Sequence, residues 1–292
     1  MKIGYPCINW MLKATPKKFR LASYSEQRLC ESVEWNLYML EKILSWNLER
    51  GFLFFRISSD IVPFASHKVN TFNWQEHFKK KFKEIGDFVR AHGIRISMHP
   101  NQFVLINALD EKILERSIAE IEYHCDVLDL MGLDESAKVQ IHVGGVYGDK
   151  EKAIERFVER YGKLSSRARK RLVIENDDKL FSVSDCLKVS EKTGAPIVFD
   201  YFHHLCLNSG ESVLDAMQAC ASTWTKSDGI LMVDYSSQKE GFKRGTHIDS
   251  IDAEDFKRFL SLAEGIECDV MLEIKDKEKS AEKSLSLIRA FQ

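Results

Sequence analysis

The chain has 292 residues, 44% of them apolar and 29% charged, enough to bury roughly three quarters of its unfolded surface, so a disordered chain is excluded. Its 42 basic and 44 acidic residues leave a formal net charge of -2, so no global basic field marks it for a polyanion and any such site must be a local patch. Apolar runs such as Gly51–Phe55 and Ile197–Phe199 are strand-sized, and Met1-Lys2-Ile3 leads into Gly4-Tyr5-Pro6 without a signal segment, so an intracellular, cytoplasmic protein with no membrane partner is expected.

Hydrophobic periodicity predicts strands at Lys2–Cys7, Phe52–Ile57, Ile94–Met98, Lys138–Val143, Leu172–Glu175, Ile197–Asp200, Ile230–Val233 and Val270–Glu273. Between them lie helical stretches over 26–49, 74–92, 110–131, 150–163, 183–193, 211–221, 253–264 and 278–290. Asn73 is the expected N-cap of the second, and Ser209-Gly210 the expected opening of the sixth. Eight β-then-α units in this length read as a single (β/α)₈ TIM barrel over residues 1–292, with a doubly wound sheet as the alternative. No linker, low-complexity tract or solenoid-period repeat divides the chain. The seven cysteines never form CxxC and fall mostly in apolar patterns (Cys30, Cys125, Cys186, Cys220), as reduced core thiols do.

A barrel enzyme keeps its chemistry at the C-terminal ends of the strands. From the third strand to the eighth these ends read Met98-His99-Pro100, Ile141-His142-Val143, Ile174-Glu175-Asn176, Phe199-Asp200-Tyr201, Val233-Asp234-Tyr235 and Leu272-Glu273-Ile274. Each carries a His, Asp or Glu. With His203 and His247 in the following loops, the candidate ligands are His99, His142, Glu175, Asp200, His203, Asp234, His247 and Glu273. Imidazole and carboxylate donors suit borderline divalent ions, and bridging carboxylates let ions sit about 3.5–4 Å apart, so two or three ions are expected. Any one of these residues alone is more often a hydrogen-bonded histidine or a helix cap. Six directed at one mouth are another matter, because unpaired carboxylates crowded together are costly unless cations lie between them.

Other signals are weaker. His204, beside His203, must point elsewhere, which suits a supporting role, and His67, His77, His92 and His124 read as solvent or packing histidines. Gly144-Gly145 signals close backbone approach without a phosphate-loop pattern. The basic segments Lys13–Arg20 and Lys239–Arg244 follow strands one and seven on the ligand face and hint at a phosphate backbone.

Phe55-Arg56-Ile57-Ser58-Ser59, Pro63-Phe64-Ala65-Ser66-His67, Ser97-Met98-His99-Pro100-Asn101-Gln102-Phe103, Glu175-Asn176-Asp177 and Asp200-Tyr201-Phe202-His203-His204 occur in order along the chain. Together they resemble the signature segments of the UV damage endonucleases, and the likeness runs from Gly4-Tyr5-Pro6-Cys7-Ile8-Asn9 to Glu273-Ile274-Lys275. The resemblance implies a TIM-barrel enzyme that nicks duplex DNA immediately 5′ of cyclobutane dimers and (6-4) photoproducts, and acts also on abasic sites. It implies that His99, His142 and Glu175 hold one ion, that Glu175 bridges to a second held with Asp200, Asp234 and Glu273, and that His203 and His247 hold a third, with Mn²⁺ as the ion. His99, His142, Glu175, Asp200 and Glu273 would carry the catalysis. Gln102 and Phe103 match a probe that fills the gap left by a turned-out lesion, and Tyr5 and Asn9 match residues lining the lesion pocket. Some relatives have His where this chain has Asp234, and a modified lysine where it has Met232; the second ion is thus expected in an almost all-oxygen set. UV-damaged double-stranded DNA is the expected partner, with no obligate protein partner.

The residues fit such chemistry without the family name, because clustered ions can activate water, neutralise phosphoryl charge and stabilise a leaving oxygen with no side-chain nucleophile. The rival readings are a xylose-isomerase-like sugar isomerase or epimerase, which needs no Gln-Phe wedge, and a nonenzymatic metal-dependent DNA-binding protein, which needs no bridging Glu175.

Overall fold

In the computed structural model, which describes residues 1–291, eight parallel strands close into a barrel in sequence order. The strands are β1 (Ile3–Pro6), β2 (Phe54–Ile57), β3 (Arg95–Met98), β4 (Lys138–His142), β5 (Leu172–Glu175), β6 (Ile197–Asp200), β7 (Leu231–Tyr235) and β8 (Cys268–Leu272). The helices are α1 (Glu26–Arg50), α2 (Trp74–Ala91), α3 (Glu111–Leu130), α4 (Lys150–Tyr161), α5 (Ser166–Arg171), α6 (Val183–Thr193), α7 (Tyr201–Cys206), α8 (Val213–Ala221), α9 (Ala253–Leu262) and α10 (Glu278–Phe291). β1 closes the ring by pairing Ile3 with Val270 of β8 and Gly4 with Phe54 of β2. Glycine is required at position 4, since a Cβ there would lie 2.3 Å from the Phe54 carbonyl oxygen.

The predicted strands all form, and the doubly wound alternative is excluded by the β1–β8 pairing. Two short helices, α5 and α7, were not expected, because six residues carry no apolar stripe long enough to read. Asn73 caps α2 as predicted, its Oδ1 accepting from the Glu76 amide at 3.2 Å. The Ser209-Gly210 opening is corrected: Ser212 caps α8, accepting from the Asp215 amide at 3.2 Å. All seven cysteines are free thiols.

Strand alternation sorts the side chains. Outward residues such as Phe55, Ile96, Ile141, Ile174, Phe199 and Leu272 are buried beneath the helices, each worth about 1.5–3 kcal/mol against exposure. Inward residues form layers. Phe54, Val173, Val198, Met232 and Met271 make a dry plug across the barrel. Below it, towards the N-terminal ends of the strands, Arg95 pairs with Asp269 at 3.0 Å and Lys138 with Asp228 at 2.5 Å. Above it, two residues further along their strands, come Arg56, Gln140, Glu175, Asp200 and Asp234, all buried. The plug keeps these polar groups apart from the far end, so they can meet only one another or what enters at the mouth.

Candidate metal centre and active site

Glu175, the last residue of β5, is the hub. Its Oε2 lies 3.1 Å from His99 Nε2 and 3.5 Å from His142 Nε2, and its Oε1 lies 3.3 Å from His203 Nδ1. His203 Nδ1 is also 3.3 Å from Asp200 Oδ2. Two groups thus converge tightly enough to hold a cation each, His99–His142–Glu175 and Glu175–Asp200–His203, with donor atoms in each within 4.8 Å of one another. They share Glu175, as expected for a bridge.

The second contacts of these side chains favour metal binding. His99, His203 and His247 each direct Nδ1 at a backbone carbonyl, of Pro100 (3.0 Å), Asn176 (3.0 Å) and Glu273 (2.9 Å). In His99 and His247 an Nδ1–H donated to the carbonyl leaves the lone pair on Nε2, the usual orientation of a ligating imidazole, whereas His203 Nδ1 faces the Asn176 carbonyl and the Glu175 and Asp200 carboxylates. Asp200 Oδ2 is buried without a hydrogen-bond partner, an atom that a bound ion would satisfy. Asp200 is held by a reciprocal clamp: its amide donates to Asn176 Oδ1 at 2.9 Å and its carbonyl accepts from Asn176 Nδ2 at 3.0 Å. Its Oδ1 caps α7 by accepting from the His203 amide at 2.6 Å.

The protonation pattern is that of a ligand set without its cations. Burial opposes charge on Glu175, yet His142, His203 and His99 hold it well below the usual carboxylate range. Burial pushes Asp200 well up. His203 is desolvated, but Asp200 and Glu175 raise it to about 11. Protons here stand where positive charge is wanted.

Asp234 requires a correction. It was expected to ligate the second ion, but Arg56 Nη2 donates to both of its oxygens, at 2.7 and 2.9 Å, and Gln140 Nε2 donates to Oδ2 at 2.5 Å. The pair is buried, at 3% side-chain exposure for Arg56 and 0% for Asp234. Burial pushes the Asp234 carboxyl up to about 6 against the pull of the guanidinium. Arg56 Nη1 also donates to Glu273 Oε1, and Nη2 donates to Gln140 Oε1 at 2.9 Å. Gln140 Nε2 in turn donates to Glu175 Oε2 at 2.6 Å. Arg56 and Gln140 therefore tie the Asp234 and Glu273 carboxylates, both expected to hold the second ion, to the hub. Sequence reading gave neither residue a role. The signal was present: each is polar inside an apolar strand, at the inward parity set by Phe54 and Lys138.

Glu273 keeps one oxygen for the mouth, and its side chain is 21% exposed. His247 stands 5.9 Å from His203, ring centre to ring centre, so the proposed third pair is adjacent, although His203 also belongs to the Asp200 group. Met232, in the dry plug, can take no part. His204 is buried against Phe199 and away from the hub. His124 is buried, while His67, His77 and His92 are exposed.

Tyr5 and Asn9 also depart from expectation. Both are 0% exposed: the Tyr5 hydroxyl donates to Asn47 Oδ1 at 2.5 Å, and Asn9 Nδ2 donates to the Tyr5 hydroxyl at 2.8 Å. The parity of β1 turns Tyr5 outward under α1, so the two brace the loop after β1 and offer no surface to a lesion. That loop instead exposes Trp10 and Met11. Gln102 and Phe103 are exposed as predicted, Phe103 by 72%, on the loop that follows His99. Gly144 has φ +114°, and a Cβ there would lie 2.3 Å from Asn107 Oδ1, so the close approach read from Gly144-Gly145 is to that side chain.

A cavity of about 520 Å³ opens at the mouth among Cys7, Arg56, His99, His142, Glu273 and Lys277, and Gln102 and His247 also line it. The basic segments border this face, but much of their charge is committed. Lys18 pairs with Asp60 at 3.3 Å, Lys239 with Asp249 at 2.5 Å, and Arg244 donates to the Cys206 carbonyl at 2.6 Å.

Comparison with known proteins agrees with this geometry. The family model described as UV-endonuclease UvdE matches residues 1–292. A UV DNA damage endonuclease of Clostridium perfringens is 40% identical over 292 residues, covering 99% of this chain and 71% of its own. One from Bacillus thuringiensis subsp. konkukian is 36% identical over 255 residues, 87% of this chain and 80% of its own. The crystal structure of SacUVDE superposes with a TM-score of 0.95 at 45% identity, over 99% of this chain and 98% of that one. More distant barrels share the fold alone: endonuclease IV from Thermus thermophilus (TM-score 0.59, 15% identity, 86% and 93% covered) and D-psicose 3-epimerase from Clostridium cellulolyticum (0.58, 12%, 100% and 99%). No helix among the described residues is long and apolar enough to cross a membrane. A full-length family match, relatives at 36–40% identity and a near-superposable barrel with its ligand cluster at the mouth agree: the chain belongs to the UvdE family of UV DNA damage endonucleases, enzymes that cut DNA.

Proposed function

We propose that the protein is a metal-dependent hydrolase that nicks double-stranded DNA immediately 5′ of UV photoproducts and acts also on abasic sites. The observation that carries this reading is Glu175, shared by two candidate ligand groups beside an open cavity whose rim bears an exposed Gln102-Phe103 pair. Two Mn²⁺ ions on these groups, with His203 and His247 available to a third, suit the mixed imidazole and carboxylate donors. Bound there, the ions would supply a nucleophilic water at neutral pH and neutralise charge on the phosphoryl oxygens.

The chain's own residues prepare the site. The carbonyls of Pro100, Asn176 and Glu273 orient three imidazoles, and Asn176 fixes the β6 terminus that carries Asp200. Gln140 and Arg56 hold Glu175, Asp234 and Glu273 rigid, so the hub needs little reorganisation when a phosphate arrives. Phe103, exposed on the rim, would enter the base stack, where a crosslinked dinucleotide is already weakly stacked and turns out more cheaply than an intact one. Incision of UV-irradiated against untreated duplex plasmid, with Mn²⁺ and with EDTA, tests the reading. Nicking confined to irradiated plasmid with Mn²⁺ supports it, while equal nicking of both plasmids, or full nicking in EDTA, refutes it.

A further inference from the structure

Lys277 ends the turn between β8 and α10 and has φ +53°, a left-handed conformation that L side chains rarely adopt and that glycine would take freely. Cys7, after β1, has φ +72° and lines the same cavity. Non-glycine residues persist in this region only where their surroundings over-determine them, and such positions gather at functional sites.

The surroundings do over-determine Lys277. The neighbouring Glu278 is fully buried and accepts from the amides of Trp10 (3.1 Å) and Met11 (2.8 Å). Asp276 accepts from the hydroxyls of Ser250 and Ser280, and Lys275 pairs with Asp249 at 2.7 Å. In the run of five charged residues Lys275–Lys279, Lys277 is the one partly buried side chain that has, among the described residues, no carboxylate within 4.0 Å and no side-chain acceptor; Lys279, likewise unpaired, is exposed. Lys277 lines the cavity and is partly buried, and burial lowers its pKa, as expected for an ammonium held partly out of water. Of the groups nearest to it, Glu278 accepts from two amides, Cys7 is a neutral thiol whose burial raises its pKa, and Glu273 pairs with Arg56 through one oxygen and makes no ion pair with Lys277. β1 and β8 face β5 and β4 across an eight-stranded barrel, so the side that carries Lys277 stands opposite the side that carries His142 and Glu175, and Lys277 and His142 line the same cavity.

We propose that Lys277 is a phosphate-positioning residue whose ammonium meets a non-bridging oxygen of the DNA strand entering the mouth, holding the backbone against the wall opposite Glu175. The inference rests on the DNA-cutting reading of the site and assigns a role to a residue outside the ligand set. A lysine is a compact point charge suited to a single phosphate oxygen, and each phosphate contact leaves a signature in the salt dependence of binding.

Lys277→Gly is the informative variant because glycine accepts the backbone conformation, so the fold is retained and its Tm lies at or above that of the parent. Lys277→Met, which keeps the stem, is the second variant, and Lys277→Arg restores the charge. Binding to a labelled duplex with one cyclobutane dimer is followed by fluorescence anisotropy in EDTA between 50 and 300 mM KCl, and Mn²⁺ content is measured separately by elemental analysis. The expected result is a 5–30-fold weaker Kd at 100 mM KCl for the Gly and Met variants and a plot of log affinity against log salt shallower by about 0.9. The arginine variant keeps the parental slope, and Mn²⁺ content is equal in all four proteins. A slope unchanged in the Gly and Met variants, arginine as impaired as glycine, or a fall in bound Mn²⁺ overturns the proposal. Failure of the parent itself to nick irradiated plasmid would instead overturn the proposed function, so the two failures are separable.

Discussion

Replacing Arg56 with methionine tests the buried polar network above the plug. The guanidinium makes two bonds to Asp234, one to Gln140 and one to Glu273, at 3% side-chain exposure. Methionine fills much of the space but leaves the Asp234 carboxylate buried with Gln140 as its remaining donor, and removing one partner of a buried pair costs about 3–5 kcal/mol. For 292 residues, an unfolding entropy near 2.1 cal/mol/K per residue makes each kcal/mol worth about 1.6 °C, so Tm should fall by about 5–8 °C. The assay is calorimetry of the metal-free protein at pH 7.5, with Asp234→Leu and the double variant Arg56→Met/Asp234→Leu alongside. Because the double variant leaves no unpaired charge on Asp234, it should be more stable than the sum of the single losses predicts, by about 1–3 kcal/mol. A Tm within 1 °C of the parent for Arg56→Met, or strict additivity in the cycle, would refute the pairing as drawn.

If Phe103 enters the stack, Gln102→Ala/Phe103→Ala should weaken binding to a dimer-containing duplex by about 1–3 kcal/mol while barely affecting a single-stranded dimer; equal losses on both would place the pair outside the duplex. His124 is buried and its pKa is lowered to about 4 by desolvation, so it stays neutral in the fold while the unfolded chain protonates below the ordinary value of 6.5. Its contribution is fully present above pH 6.5 and is lost as pH falls towards 4, about 2–3 kcal/mol by pH 4.5. Denaturant unfolding at pH 7 and 4.5 should thus show a smaller pH dependence for His124→Gln, and the same dependence would be the contrary result. Because His203 is raised to about 11 and must surrender its proton to ligate, Mn²⁺ binding should release protons, read as a calorimetric enthalpy that varies with the ionisation enthalpy of the buffer. No variation would mean that His203 is not a ligand.

The barrel was legible because eight short strand-like runs alternate with helical stretches, and the last six of those strand ends carry a His, Asp or Glu. Glu175 and its two groups follow from that pattern. What the pattern could not reveal were partners set by register between distant segments. Asp234 looks like another strand-end ligand, yet its counter-ion is Arg56, 178 residues earlier, and no local spacing announces that pair. Tyr5 was misassigned for a related reason: in β1 the inward position is Gly4, which has no side chain to signal parity, so the aromatic beside it passes for a pocket residue when it packs under α1. Helix α7 was missed because it is an extension of the β6 terminus, made by Asp200 capping the His203 amide, and has no period of its own.

The central claim, that ions gathered on Glu175 cut DNA beside a lesion, is tested most directly on a labelled duplex with one cyclobutane dimer, comparing the parent with Glu175→Gln in an Mn²⁺ titration. The expected result is a single nick immediately 5′ of the dimer for the parent, abolished by EDTA. Glu175→Gln should lose incision by at least two orders of magnitude, with binding of the duplex largely intact. Incision by Glu175→Gln at the parental rate, or by the parent after exhaustive removal of metal, would contradict it.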